Sequence, residues 1–370
     1  MRILIVDSSI AFTGAFKCAV NEAELLSKTH TFIFVLPQRS TLKYYLEARG
    51  FKVYMLPMVE ISKSAKSLLS YFPSLLRNAF RLNKIVKREK IEVVQMNDFY
   101  NMLGVMLKRI GYKGKLITYV RFLPSSRPAT LRNIWARLAE KYSDKVITVS
   151  NVALQQLPVN KDTICIYDPV KLTEALPPKE YAKKDTVDIL FQGNYIRGKG
   201  QDAGLEAFAI AYRQNPAIRL TFSGGDMGLA KNKEFKKQLQ DRVSELGLDK
   251  VVAFTEFTDT VESGIKQADI VLNFSESESF SMTCLEASFY GTALIATRCG
   301  GPEEIIIDNE TGFLVPLGDY NAMAEAIVKL AGDFELRKRF ADAAKKRVKK
   351  EFPVEKFVEE FEEVLTEMNK

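Results

Sequence analysis

Two carboxylates eight positions apart, Glu278 and Glu286, flank the start of a helical segment in SESESFSMTCLEASFYGTALIAT, Ser275–Thr297. The apolar run IVLNF delivers the chain to Glu278, which falls on a loop at the carboxyl edge of a sheet, and SFSMT then turns into a helix beginning near Ser281. The free N–H groups and the positive dipole end of that helix make a receptor for phosphate oxygens. Glu286 lies about one to two turns further on, between Leu285 and Ala287, in a segment too apolar for a surface helix. A carboxylate buried there needs a hydroxyl or a cation as partner. The plainer alternative is a helix-start carboxylate at Glu278 and an exposed helix position at Glu286.

A second constellation is FQGNYIRGKGQDAGLEAF, Phe191–Phe208. Strand, Gly193, Asn194, then a basic glycine loop with Arg197, Gly198, Lys199 and Gly200, then a helix: this order sets cations beside backbone N–H groups, as phosphate oxygens require. No Gly-Lys-Ser/Thr is present, so it is not a Walker sequence, and a surface turn with solvated cations is the competing view. In the first half, VDSSIAFTGAFK ends a strand and opens a helix at Gly14, placing flexible backbone at a sheet edge. Metal and triad chemistry find little support. There is no Asp-x-Asp, the four cysteines fall singly without a CxxC, and the one histidine, His30, precedes the strand-like TFIFVL as a structural residue would.

These groups need elements to hold them. At 370 residues the chain is too long for one core, and 46% hydrophobic with 27% charged residues suits two globular domains. RILIV, TFIFVL, KVYML, IEVVQM, KLITYV, KVITVS and TICIY read as buried strands separated by helical-period stretches. DPVKLTEALPPKEYAKKD, Asp168–Asp185, has the composition of an interdomain linker. The pattern restarts with VDILFQG, IRLTFSGG, VVAFTEF, DIVLNFS, TALIAT and GFLVP. The expected fold class is α/β, two doubly wound parallel sheets with helices on both faces. A terminal amphipathic helix, FPVEKFVEEFEEVLTEM, is expected to pack on a domain and to return to the first one.

Charge divides the halves. Residues 1–180 carry 28 Lys and Arg against 14 Asp and Glu, whereas residues 181–370 carry 25 against 32. A basic half implies an anionic partner. SLLSYFPSLLRNAFRLNKIVKREK, Ser67–Lys90, mixes Leu, Phe and Tyr with Arg77, Arg81, Lys84, Lys87, Arg88 and Lys90, as helices on anionic membrane surfaces do, though an ordinary two-faced helix has the same look. Aromatic-basic readout motifs are lacking, so nucleic acid is not an expected partner. The opening apolar run is too short for a signal peptide and no run approaches a membrane span, so a cytoplasmic protein, peripheral on the inner face of the membrane, is expected.

From Val187 to Phe352 the motifs GNYIRGKGQDAGLEAF, LTFSGGDMG, VVAFTEF and IKQADIVLNFSESESFSMTCLEASFYGTALIATRCGGPEEIIIDNETGFLVPLGDYNAMAEAI closely resemble, in order, the donor-binding half of family 4 glycosyltransferases, retaining enzymes of the GT-B fold. RILIVDSS, Gly14 and EKYSDKVITVSNVALQQL followed by ICIYDPV resemble the acceptor domain more loosely. The resemblance implies Rossmann-like domains facing across a cleft, with residues 1–172 plus 353–370 on the acceptor side and 173–352 binding a nucleotide diphosphate sugar of UDP or GDP type. It implies Glu278 at the transferred sugar, Glu286 at the ribose, Lys199 and the turn Phe280, Ser281, Met282, Thr283 at the diphosphate, and Gly14 closing over the donor. The loop at Glu256 and Phe257 would border the nucleobase.

Three positions depart from the family pattern. Asn194 stands where Arg is usual, with Arg197 as a substitute cation; Ser281 stands where Gly is usual; and YVRFLP lacks the usual histidine, with Arg121 as the acceptor-side stand-in. Cations and N–H groups replace a metal in this scheme, and no other cofactor is expected. The implied reaction is transfer to a glycan or lipid-linked acceptor, as in cell-surface polysaccharide or lipopolysaccharide synthesis. The alternatives are a nucleotide-sugar epimerase of the same architecture and a non-catalytic glycan- or nucleotide-binding protein.

Overall fold

The structure, a computed structural model, describes residues 1–58, 65–158, 162–170, 179–256 and 261–369, with the side chains of 65–70 excepted. It divides into two units, Met1–Lys171 with Val354–Lys370, and Leu172–Pro353. Part of the expected linker, residues 171–178, lies outside the described residues.

Among the described residues the first unit is built on seven strands: β1 (Arg2–Val6), β2 (Thr31–Pro37), β3 (Lys52–Leu56), β4 (Val93–Met96), β5 (Lys115–Val120), β6 (Lys145–Thr148) and β7 (Thr163–Cys165). Their spatial order is β3-β2-β1-β4-β5-β6-β7 and every pairing is parallel. Strands covered on both faces read as unbroken apolar runs, which is why RILIV and KLITYV show no alternation. Leu4, Val6, Ile33, Val35, Val94, Met96 and Leu116 meet Ala79, Leu82 and Val86 of the helix Ala65–Glu89 in one core. The chain reverses direction across the sheet between β1 and β4, so their carboxyl ends frame a crevice.

The C-terminal helix, Val354–Asn369, belongs to this first unit. It buries Phe357, Phe361, Val364, Leu365 and Met368, the stripe that its spacing predicts. Glu362 receives hydrogen bonds from Thr29 Oγ1 at 3.0 Å and pairs with His30 Nε2 at 3.0 Å, while Lys145 Nζ pairs with Glu367 at 2.9 Å. His30 is therefore structural, with its Nδ1 3.1 Å from the amino terminus.

The second unit has, among the described residues, six parallel strands: β8 (Val187–Gln192), β9 (Ile218–Ser223), β10 (Val252–Thr255), β11 (Ile270–Asn273), β12 (Ala293–Thr297) and β13 (Phe313–Val315), in the order β10-β9-β8-β11-β12-β13. Here the reversal falls between β8 and β11. The loops leaving those two strands are the two stretches that carry Lys199 and Glu278.

Candidate active site

At the carboxyl ends of β8 and β11, two loops lie backbone against backbone. Gly200 has φ +81°, and a side chain there would overlap the carbonyl oxygen of Phe274, so the approach of the loops depends on glycine. That contact carries Lys199 to Glu278: Nζ donates to Oε1 at 2.7 Å, and Ser275 Oγ donates to the same oxygen at 2.8 Å. Burial opposes the charge on Lys199, but the carboxylate of Glu278 outweighs it and holds the ammonium above the usual lysine pKa. The backbone of Glu278 is fixed too, its N–H donating to Cys299 O at 3.2 Å and its carbonyl accepting from Gly301 N at 2.8 Å.

Three residues after Glu278, Ser281 adopts φ +78°, a left-handed conformation that favours glycine. Asn273 Nδ2 donates to Ser281 Oγ at 2.9 Å, and the same oxygen caps the helix Met282–Tyr290 through Cys284 N at 3.4 Å. The serine at a position where the family usually has glycine is thus held by the last residue of β11. Phe280 is buried against Phe352, ring centroids 5.3 Å apart, and Met282 and Thr283 are half-buried at the helix start. Glu286 is 5% exposed on that helix, a buried carboxylate as its apolar neighbours imply. The structure therefore brings Lys199, Glu278, Ser281 and the first turn of Met282–Tyr290 together at one sheet edge.

Other expected residues lie elsewhere. Asn194 Oδ1 accepts from Gly225 N at 3.2 Å, which ties the loops after β8 and β9. Arg197 turns away from Lys199: its guanidinium sits 4.9 Å from the ring centre of Phe235 and hydrogen-bonds Gln238, both on the helix Ala230–Glu245. It is not the second cation beside Lys199 in this structure. Glu256, at the end of β10, has an 87% exposed side chain that accepts from Lys236 Nζ at 2.9 Å, and Phe257 lies outside the described residues. Sequence reasoning missed Ser275, Asn273 and Thr297, whose hydroxyl donates to Ser275 O at 2.6 Å. The available signal was a polar residue closing each apolar strand.

In the first unit, Gly14 opens the helix Gly14–Leu26, capped by Thr13 through Phe16 N at 3.1 Å. Arg121 follows β5 and is enclosed, its side chain 2% exposed. It donates to Asn97 Oδ1 at 2.6 Å, to Asp168 and to Glu22 at 3.3 Å, and Asn97 in turn donates to Asp7. Arg121 is thus held in an internal network in which two buried carboxyls, Glu22 and Asp168, contact the cation. Burial pushes Glu22 up to about 7 against the pull of Arg121. Asp98, beside this edge, is pushed up to about 8 by burial and by Asp7.

A family model described as glycosyl transferases group 1 matches residues 173–347. Over 307 residues, 80% of this chain and 81% of the relative, the sequence is 30% identical to an uncharacterized glycosyltransferase of Methanocaldococcus jannaschii. The chain belongs to the group 1 glycosyltransferases. This glycosyltransferase is also 27% identical, over 82% of both chains, to N-acetyl-alpha-D-glucosaminyl L-malate synthase of Bacillus anthracis. Its fold is the two-domain GT-B fold: it superposes on Anabaena HepE, crystallised with UDP-glucose, with TM-score 0.83 over 99% of this chain and 100% of that one at 18% identity. The enzyme is a transferase of glycosyl groups. Among the described residues no cluster of His, Cys, Asp and Glu is placed to hold a metal ion, and no helix is long and apolar enough to cross a membrane.

Proposed function

We propose that this glycosyltransferase is a retaining enzyme of the family 4 type that moves a sugar from a nucleotide diphosphate sugar, of UDP or GDP type, to a glycan or lipid-linked acceptor. One observation carries the reading: Lys199 and Glu278 are paired at 2.7 Å at the β8/β11 switch point, beside the capped start of Met282–Tyr290. Ligands of open α/β sheets bind at this position. Breaking the sugar–phosphate bond puts negative charge on the leaving diphosphate and positive charge on the ring. Lys199 and the N–H groups of Ser281, Met282 and Thr283 stabilise the first by preorganised electrostatics. Glu278 accepts hydrogen bonds from the sugar hydroxyls near the reacting carbon, and Glu286 takes the ribose. Gly193 lets the backbone approach the diphosphate, and Glu256 borders the base. The first unit is the acceptor side. The relatives' names support a nucleotide donor: HepE was crystallised with UDP-glucose.

Thermal stabilisation by a panel of nucleotide sugars identifies the donor, since a ligand that binds the folded state raises its stability with concentration. Glu278→Ala then abolishes transfer; unimpaired transfer would refute the assignment. NMR of the product's anomeric centre against the donor's tests retention. Attachment to the inner face of an anionic membrane is supported by the helix Ala65–Glu89, which exposes Phe72 (57%) and Phe80 (53%) beside Arg77, Arg81 and Lys84. Vesicle flotation checks it: loss of binding at high salt is expected, and no binding to anionic vesicles at any salt rejects it.

A further inference from the structure

Behind the loop that carries Glu278, four small polar side chains are buried: Asn273 at the end of β11, Ser275, Ser281, and Thr297 at the end of β12. Polar groups in such a place cost free energy unless each finds a partner. These find one another.

Asn273 is the residue that joins them. Its Oδ1 accepts from Ser275 N at 3.3 Å, and its Nδ2 donates to Ser281 Oγ at 2.9 Å. A backbone N–H can only donate, so the amide's orientation is fixed and both of its ends are used. On one side, Ser275 Oγ donates to Glu278 Oε1 at 2.8 Å, while Thr297 Oγ1 donates to the Ser275 carbonyl at 2.6 Å. On the other side, Ser281 Oγ accepts from Cys284 N at 3.4 Å and caps the helix Met282–Tyr290. One side-chain amide thus ties the carboxylate to the helix start through two serines. Ser281 needs that tie for a second reason. Its φ of +78° is strained for a residue with a side chain, and the bond from the end of β11 helps to hold it there. A glycine in the same place would need no such bond.

We infer that Asn273 is a positioning residue for transfer, which fixes the spacing between Glu278 and the first turn of Met282–Tyr290. The inference rests on the donor-site reading above, with Glu278 at the sugar and that turn at the diphosphate. The bond that breaks lies between those two groups. Hydrogen bonds behind a site hold its working groups in the productive geometry, and misplacement by about 1 Å costs roughly 10²-fold in rate. Asn273 acts only through Ser275 and Ser281, so its effect belongs to the rate of transfer more than to donor affinity.

Asn273→Ala is compared with the parent by release of nucleoside diphosphate from the nucleotide sugar that the thermal panel selects, with kcat and KM resolved. Calorimetry with UDP and GDP gives the affinity and, from the stoichiometry, the fraction of competent sites. The expected result is a fall in kcat per competent site of about 10- to 100-fold. KM and nucleotide affinity stay within about threefold, because Lys199 and the helix N–H groups remain. A residue that only supported folding would lower the competent fraction and leave kcat per site alone. Ser281→Gly tests the tie from its other end. It leaves Nδ2 without a recipient, so in that background Asn273→Ala loses at least about threefold less kcat than in the parent. Should Asn273→Ala fold poorly, Ser275→Ala combined with Ser281→Gly removes both serine hydroxyls while Asn273 stays, and the same loss of kcat at unchanged KM is expected. A kcat per site within about threefold of the parent, or equal losses in the two backgrounds, overturns the inference. Glu278→Ala keeps the two readings apart. If it abolishes transfer while Asn273→Ala does not slow it, the donor site stands and the tie falls. If Glu278→Ala transfers normally, or neither UDP nor GDP binds the parent, both fall.

Discussion

Lys199→Met separates catalysis from stability at the β8/β11 edge. The Lys199 side chain is 38% exposed and that of Glu278 14%, so solvent screens the pair and its contribution to folding is about 0–1 kcal/mol. The substitution keeps an unbranched stem in place and leaves Glu278 with the hydrogen bond from Ser275 Oγ at 2.8 Å. The expected fall in melting temperature is therefore small, no more than about 2–4 °C for a unit of this size. The proposed diphosphate contact makes the expected catalytic loss far larger. A single preorganised donor aimed at charge that develops in the transition state contributes about 3–4 kcal/mol, a factor of roughly 10²–10³ in kcat. Release of nucleoside diphosphate is followed at saturating donor, with kcat and KM resolved, because ground-state binding alone would appear in KM. The double variant with Glu278→Ala is expected to lose less than the sum of the two single losses, since the residues touch. A Lys199→Met enzyme that melts normally and keeps kcat within about fivefold of the parent would refute the diphosphate role.

Gly200→Ala should destabilise the second unit by about 2 kcal/mol or more, because the methyl collides with rigid backbone at Phe274 and φ is +81°; urea unfolding measures it. At Ser281 (φ +78°), Gly relieves the left-handed conformation while losing the cap, so Ser281→Gly should stay within about 1 kcal/mol of the parent and Ser281→Ala should lose about 1–2. Melting curves of the pair decide, and equal losses would mean that the backbone conformation is unstrained. Glu22 ionises near 4.5 in the unfolded chain and near 7 when folded. The folded state then binds more protons across that window, and stability falls as pH rises through it, by about 2–3 kcal/mol. Denaturation at pH 5 and pH 8 should show this fall and its flattening in Glu22→Gln; an unchanged slope would place the titration elsewhere.

Much of the fold is written in short-range pattern. Buried parallel strands need β-branched and aromatic runs, so the seven and six apolar runs reappear as β1 to β7 and β8 to β13. The site was partly legible for a similar reason: Lys199 and Glu278 each leave a strand at a switch point, which strand order alone brings together. Side-chain direction was not. Arg197 and Lys199 are two residues apart in one loop, yet the first stacks on Phe235 and the second reaches Glu278. The network of Asp7, Glu22, Asn97, Arg121 and Asp168 was hidden because its members are scattered along the chain and meet only where neighbouring strands end. A cavity of the first unit, lined by Asn78, Arg127 and Trp135, is assembled from six separate stretches of chain, so no local motif announces it.

The return of Val354–Asn369 to the first unit makes the second unit an uninterrupted insertion within the first. During synthesis, residues 172–353 are complete before the helix that pairs with Thr29, His30 and Lys145 has emerged, so the unit encoded later matures earlier. The first unit must wait with the sites of Phe357, Phe361 and Leu365 uncovered, and closing it brings together segments more than 300 residues apart, as the bond between Thr29 and Glu362 shows. A nascent chain halted before residue 354 should therefore hold a protease-resistant second unit and a protease-sensitive first unit, and a nick near the carboxyl terminus should damage the unit that is most distant from it in sequence.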